Sequence, residues 1–173
     1  YLAVQIHGGM GFIEETGVAQ YYRDARILTI YEGTTGIQAL DLIGRKTLVD
    51  GGVGVSDLLS EMRDDLGAIS APELQDIVTA TQAAVEHAED AKQWVLAQAA
   101  QDASAAGSAS VSYMMLMGYL CGGWLLTKSA AIAQRDLANE GADLEFLNAK
   151  IISARFFAEQ MLQLKVIPPD MDA

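Results

Sequence analysis

With 173 residues, 51% of them hydrophobic, this chain has enough apolar mass for one domain, or for one domain and part of another. That composition excludes a disordered acidic tail, which cannot bury enough apolar surface to offset its ordering entropy. The 23 acidic residues outnumber the 11 basic ones and give a net charge of −12, which argues against nucleic acid and anionic lipid as partners.

The first fifty residues are rich in glycine and loop-like: Gly8, Gly9, Gly11, Gly17, Gly33, Gly36 and Gly44. Tyr1 stands inside an apolar motif, with no initiator Met and no basic region before it, so the chain reads as a fragment without a signal peptide. Thr34 and Thr35 offer capping hydroxyls to a helix that continues through Gln38 and Leu42. Asp50-Gly51-Gly52-Val53-Gly54-Val55 then reads as a flexible connector.

Beyond the connector the sequence is rich in Ala and Gln, and helical. Ser56 with Asp57 predicts a helix start, and that helix extends to about Ile69. Ser70 and Pro72 restart the chain in a second helix. Leu74, Ile77, Val78, Thr81, Ala84, Val85, Ala88 and Val95 share its apolar face, while Glu86, Glu89, Asp90 and Lys92 fall mainly on the other. A third helix is predicted over about Ala105 to Ala138. Its apolar run Val111–Leu126 is shorter than the roughly 20 residues a membrane span needs, and reads as a buried helix. A fourth runs from Asp143 to about Lys165, with Leu144, Leu147, Ile151, Ala154, Ala158, Met161 and Leu162 in register, and Pro168-Pro169 stops it. No stretch alternates long enough to argue for a sheet. The expected fold class is all-α, with four antiparallel helices making a bundle.

Three segments carry candidate chemistry: Gln5-Ile6-His7-Gly8-Gly9-Met10-Gly11-Phe12, Tyr22-Arg23-Asp24-Ala25-Arg26-Ile27 and Ile30-Tyr31-Glu32-Gly33-Thr34-Thr35-Gly36-Ile37-Gln38. The glycines of the first allow backbone to approach a phosphate or a planar cofactor, but they match neither a dinucleotide fingerprint nor a phosphate-binding loop ending in Gly-Lys-Ser/Thr. Glu32 lies between apolar residues and Gly33. A carboxylate in an apolar pocket has a raised pKa and suits a general base. Spacing alone favours the plainer reading, a helix-start carboxylate facing a dipole.

Taken together and in order, these segments resemble the C-terminal signature of the acyl-CoA dehydrogenase family. The resemblance covers residues 1–46. The later helices are similar to an extra C-terminal domain in a larger branch that includes the 3-methylmercaptopropionyl-CoA dehydrogenases. The resemblance implies that residues 1–50 end the catalytic helical domain and that 51–173 form an added helical domain. It implies α,β-desaturation of an acyl-CoA thioester to the trans-2-enoyl-CoA, with FAD as hydride acceptor. Glu32 matches the α-proton base. Gly33 matches the residue beside the substrate thioester. Gln5, Ile6, His7, Gly8 and Gly9 match the segment that approaches the FAD of the neighbouring subunit, and Thr34, Thr35 and Gly36 match residues lining the flavin nucleotide. Many members carry Ser-Gln where this chain has Thr35-Gly36, so a side-chain contact from Gln is absent. His7 replaces a commonly apolar residue and reads either as a polar contact to FAD or as a partly exposed loop residue. The implied partners are an electron-transfer flavoprotein and further copies in a homodimer or higher oligomer. The implied compartment is a bacterial cytoplasm. On this reading the segment is inactive alone. The alternative is a non-catalytic helical interaction or oligomerisation module of such an enzyme.

The remaining candidates read as structural. Asp24 is expected to pair with an arginine and brace the Glu32 loop. His87 stands alone and no metal site is expected. Cys121, the single cysteine, permits no internal disulfide and reads as inert packing. Met114, Met115 and Met117 are expected in the core, although a Met cluster also suits an acyl tunnel. Trp94 and Trp124 are expected helix anchors, and Glu61, Asp64 and Asp65 a solvated acidic face.

Overall fold

A computed structural model describes residues 1–31 and 33–162; the side chain of residue 103 is also left undescribed. Among the described residues all regular structure is helical, as expected. The chain divides into two compact units, residues 1–38 and 39–173.

The first unit holds α1 (Leu2–Ile6), α2 (Gly9–Phe12), a single 3₁₀ turn and α3 (Val18–Leu28). Gly8, with φ 56°, turns the chain between α1 and α2. Gly17, with φ 75°, starts α3. Both positions suit glycine because a Cβ is penalised in that region. Gly11 meets a different demand. A Cβ built there would lie 2.9 Å from His7 Cβ and 3.0 Å from Val4 Cα, so α1 and α2 approach this closely only with glycine.

Helix α4 (Thr35–Ile43) starts where the threonines predicted, crosses from the first unit's residues into the second's, and leads into a π turn over Gly44–Leu48. The connector that follows is ordered. Asp50 accepts hydrogen bonds from the N–H groups of Gly52 (3.0 Å) and Gly54 (2.8 Å), while Gly51 and Gly52 take φ values of 67° and 81°. The Gly54 N–H in particular holds the Asp50 carboxyl below the usual carboxylate range. Helix α5 (Val53–Gly67) therefore starts three residues before Ser56, whose hydroxyl donates to the Gly52 carbonyl instead of capping.

A 3₁₀ turn at Pro72–Leu74 opens α6 (Gln75–Ala99). The predicted apolar face of α6 is buried: Leu74, Ile77, Val78, Thr81, Ala84, Val85, Ala88 and Val95. The expected third helix is two, α7 (Ala103–Ser108) and α8 (Ser110–Asp136). Asp102 caps α7 through the Ser104 N–H at 2.8 Å. At its other end Ser108 Oγ donates to the Ala105 carbonyl at 2.7 Å, a local bond of the kind that competes with helix propagation. Asp143 caps α9 (Leu144–Gln160) by accepting from the Phe146 N–H at 3.0 Å. Ile151, Ala154 and Ala158 of α9 are buried, but Leu144 is exposed at its first turn. Lys165 and the stop at Pro168-Pro169 lie outside the described residues.

In the second unit α8 packs along α9, and α6 packs against both α5 and α8. Ser56 lies opposite Lys92 and Arg63 opposite Glu86, so α5 and α6 run antiparallel. Leu59, Met62 and Leu66 of α5 meet Val85 and Ala88 of α6 and Leu120 of α8 in one core. Leu74, Ile77, Ala130, Ile151, Ala154 and Ala158 form a second. Trp94 and Trp124 pack half-buried against the first core, as expected of anchors, and burial pushes the Cys121 thiol up. The methionines divide: Met117 is buried and Met115 exposed. No described helix is long and apolar enough to cross a membrane.

Two expectations about charge are corrected. Lys92 is only 3% exposed, because its stem lies beside Gly52 and its ammonium reaches Ser56 Oγ at 2.6 Å and Glu89 Oε1 at 2.7 Å. Asp65 is no simple solvated charge. It accepts from Lys128 Nζ at 2.6 Å and from Trp124 Nε1 at 3.0 Å, and chiefly the lysine bond lowers its pKa.

The α6–α8 contact contains a buried hydroxyl pair, Thr81 Oγ1 and Thr127 Oγ1 at 2.9 Å. Each oxygen also lies 2.8 Å from a carbonyl of its own helix, so two hydroxyl hydrogens serve three short contacts. Replacing either threonine by valine is expected to cost about 1 kcal/mol, and the double variant less than the two costs added. Urea denaturation of the four proteins measures the coupling, and strict additivity would contradict it.

Candidate functional site

The first unit carries the described members of the candidate site, together with the turn that leads into α4. Gln5 and Ile6 lie on α1 and are exposed. His7 terminates α1; it too is exposed, with Nδ1 2.9 Å from the Ala3 carbonyl. Gly8 and Gly9 follow, and a Cβ added at either meets nothing within 4 Å. Their backbone is thus bare on the side where a side chain would stand. Gly36 is equally open.

Glu32 lies outside the described residues. Its neighbours do not. Tyr31 and Gly33 are exposed, Thr34 precedes α4, and Thr35 is the first residue of that helix. The Gln38 N–H donates to the Thr34 carbonyl at 3.0 Å, which ties the loop to the first turn. Gly33 differs from the open glycines. A Cβ there would lie 3.0 Å from Gln38 Cδ and 3.2 Å from Cγ, with Nε2 closer still. The Gln38 side chain covers Gly33. The sequence places Gln38 at the end of a motif and in the helix that follows, without a role at Gly33. The signal that would have found it is its spacing, five residues after Gly33 and one turn into the helix.

The arginine segment is arranged otherwise than expected. Arg23 pairs with Glu14 across the α2–α3 turn at 3.3 Å, and Arg26 donates to Thr29. Asp24 makes neither contact. The pairing follows from the 3₁₀ turn, which brings the Glu14 side chain back beside α3. A concavity of about 270 Å³ opens next to it, lined by Tyr1, Val4, Phe12, Ala19, Tyr22 and Arg23.

Only Gly11 and Ala19 are buried among the described residues of the first unit. Leu2, Ile6, Phe12, Tyr21, Leu28, Ile30, Tyr31 and Ile37 are all exposed. A surface this apolar is the mark of a contact surface rather than of a free face.

Comparison with known proteins gives two family models. Residues 58–164 match "Acetyl-CoA dehydrogenase C-terminal like", and residues 1–48 match "Acyl-CoA dehydrogenase, C-terminal domain". The chain is 49% identical over 170 residues to a 3-methylmercaptopropionyl-CoA dehydrogenase of Ruegeria pomeroyi, covering 93% of this chain and 28% of that protein. It is 34% identical over 179 residues to a broad-specificity linear acyl-CoA dehydrogenase of Mycobacterium tuberculosis, covering 94% of this chain and again 28% of the relative. Over 42 residues, 24% of this chain and 11% of the relative, it is 55% identical to a subunit of a caffeyl-CoA reductase–Etf complex of Acetobacterium woodii. The chain thus spans little more than a quarter of the length of the first two relatives.

Proposed function

Because this chain belongs to the acyl-CoA dehydrogenase family, we propose that it supplies the proton-abstracting base and part of the flavin contact of an enzyme that desaturates an acyl-CoA thioester. Glu32 takes the α-proton. Gly33 lies beside the thioester. Gln5, Ile6, His7, Gly8 and Gly9 face the FAD of a neighbouring subunit, and Thr34, Thr35 and Gly36 face the nucleotide. The observation that carries this reading is the match of residues 1–48, which include Glu32, to the acyl-CoA dehydrogenase C-terminal domain.

The described glycines fit a cofactor at this position. Gly8, Gly9 and Gly36 leave open backbone, which a flat or phosphate-bearing group can approach without displacing a side chain. FAD, when bound, supplies the acceptor for the β-hydrogen. The chain's own part is to take a proton at the Glu32 carboxylate and to present the Gly33 backbone beside the thioester.

Residues 1–50 are read as the end of the catalytic domain and 51–173 as an added helical domain. That added part holds one core of its own and most of another, to which Ile43 also contributes, and it exposes Val111, Met115, Leu125 and Ile132 along α8. This supports a second role for it as an interaction or oligomerisation module, in an enzyme that works as a homodimer or larger assembly. The relative named as part of an Etf complex supports an electron-transfer flavoprotein as the oxidant of the reduced flavin.

The test is anaerobic flavin bleaching in a full-length enzyme carrying this segment, over a panel of acyl-CoAs. 3-Methylmercaptopropionyl-CoA is expected to bleach the flavin fastest, given the 49% identical relative. Bleaching by straight-chain substrates alone would move the acyl specificity. No bleaching by any thioester would leave the interaction reading as the whole function.

A further inference from the structure

We propose that Gln38 is a positioning residue for the reaction, acting through Gly33. The inference rests on the reading of Glu32 and Gly33 given above and deepens it.

Gln38 holds the loop at two points. Its backbone N–H donates to the Thr34 carbonyl at 3.0 Å. Its side chain lies across the Gly33 α-carbon, in the space a Cβ would need, with Cδ 3.0 Å and Cγ 3.2 Å from that point. Glycine is the most permissive residue, and one placed directly after a catalytic base would let that base wander. A neighbouring side chain laid over it removes conformations by excluded volume. Gly33 and Gln38 are therefore a matched pair. The glycine gives way to the glutamine, and the glutamine limits the glycine. Gly8, Gly9 and Gly36, where an added Cβ meets nothing, have no such cover. Among the described glycines of the candidate site, Gly33 alone has a side chain laid against it. A general base must sit within hydrogen-bond reach of its proton, and misplacement by an ångström can cost about a hundredfold in rate.

The experiment is a double-mutant cycle in the full-length enzyme, with Gly33→Ala, Gln38→Ala and both together. The rate constant of anaerobic flavin reduction is measured apart from the Kd for acyl-CoA. Gln38→Ala is expected to lower the rate about 10-fold and to leave Kd within about 2-fold, because it loosens a geometry used in the chemical step. Gly33→Ala is expected to lower it about 100-fold. Adding Gln38→Ala to Gly33→Ala should raise the rate, since truncation vacates the space the new methyl needs. A double variant at the product of the single effects would overturn the pairing, as would a Gln38→Ala effect confined to Kd. The second readout needs no turnover. In this chain, Gln38→Ala should shift the Gly33 amide resonance, and an unmoved resonance would overturn the contact. Full activity of Glu32→Gln would instead sink the base assignment and leave the Gly33–Gln38 contact standing on the resonance shift.

Discussion

In a full-length enzyme carrying this segment, Glu32→Gln is expected to retain FAD and bind acyl-CoA but to lose flavin reduction by about 10²–10⁴-fold. That is the range a positioned general base contributes. The substitution keeps size and hydrogen-bonding shape and removes only the ability to take a proton. The α-proton of a thioester is weakly acidic, so nothing else in the Glu32–Gln38 loop can replace the carboxylate; its other side chains are two threonine hydroxyls, an isoleucine and an amide. Stopped-flow bleaching of the variant, with acyl-CoA affinity measured separately, checks this. Undiminished bleaching would place the base elsewhere in the enzyme.

The second large effect belongs to stability. Glu89→Ala is expected to cost about 2–4 kcal/mol, and Lys92→Met distinctly less. The asymmetry follows from burial. The Lys92 side chain is 4% exposed and the Glu89 side chain 26%. Removing the carboxylate leaves a buried ammonium with only the Ser56 hydroxyl, the arrangement that makes broken buried pairs expensive. Removing the ammonium leaves a carboxylate that still has the Gln93 amide at 2.9 Å and the Arg63 guanidinium at 3.8 Å. Methionine also keeps the apolar stem beside Gly52. The Lys92 hydrogen bond, followed by that of Gln93, holds the Glu89 carboxyl below its ordinary value of 4.5. Its folded pKa is depressed, so the stabilisation is present above that ordinary value and is lost as pH falls through the lowered one. Denaturant midpoints of the two variants between pH 7 and pH 3 give both results. Lys92→Met should flatten the acid limb.

The fold was legible wherever period and burial agreed. From Leu74 into α6, Ile77, Val78, Ala84, Val85, Ala88 and Val95 recur at helical spacing and are buried, with Thr81 among them. Lys92 lies on that same face and was assigned to the charged one. Its type suggested water, while the small residues around it, Gly52 and Ser56, had room for its stem and a partner for its charge. The Asp50–Val55 stretch was misread for the same kind of reason. Its glycines suggested freedom, but Asp50 satisfies the N–H groups at the start of α5 and the positive-φ glycines make the turn. Arg23 could not be paired from sequence because Glu14 reaches it only through the 3₁₀ turn. In the candidate site the motif order and the open glycines were readable from the chain. The cover of Gly33 by Gln38 was not, since it depends on where the first turn of α4 aims one side chain.

The charges of the helical unit are unevenly spread. Helices α5 and α6 carry eight carboxylates against Arg63 and Lys92, whereas Ser110–Gln134 of α8 carries Lys128 alone. The helices are therefore electrically unequal, with negative charge concentrated on α5 and α6. An imbalance of this kind turns a molecule before it touches anything. Near a cationic surface, whether a chromatographic matrix or a basic protein, α5 and α6 lead and α8, with Lys128 as its one charge over Ser110–Gln134, arrives last. Encounters are thus sorted by orientation at a range where shape has no say, and salt, by shortening that range, removes the sorting.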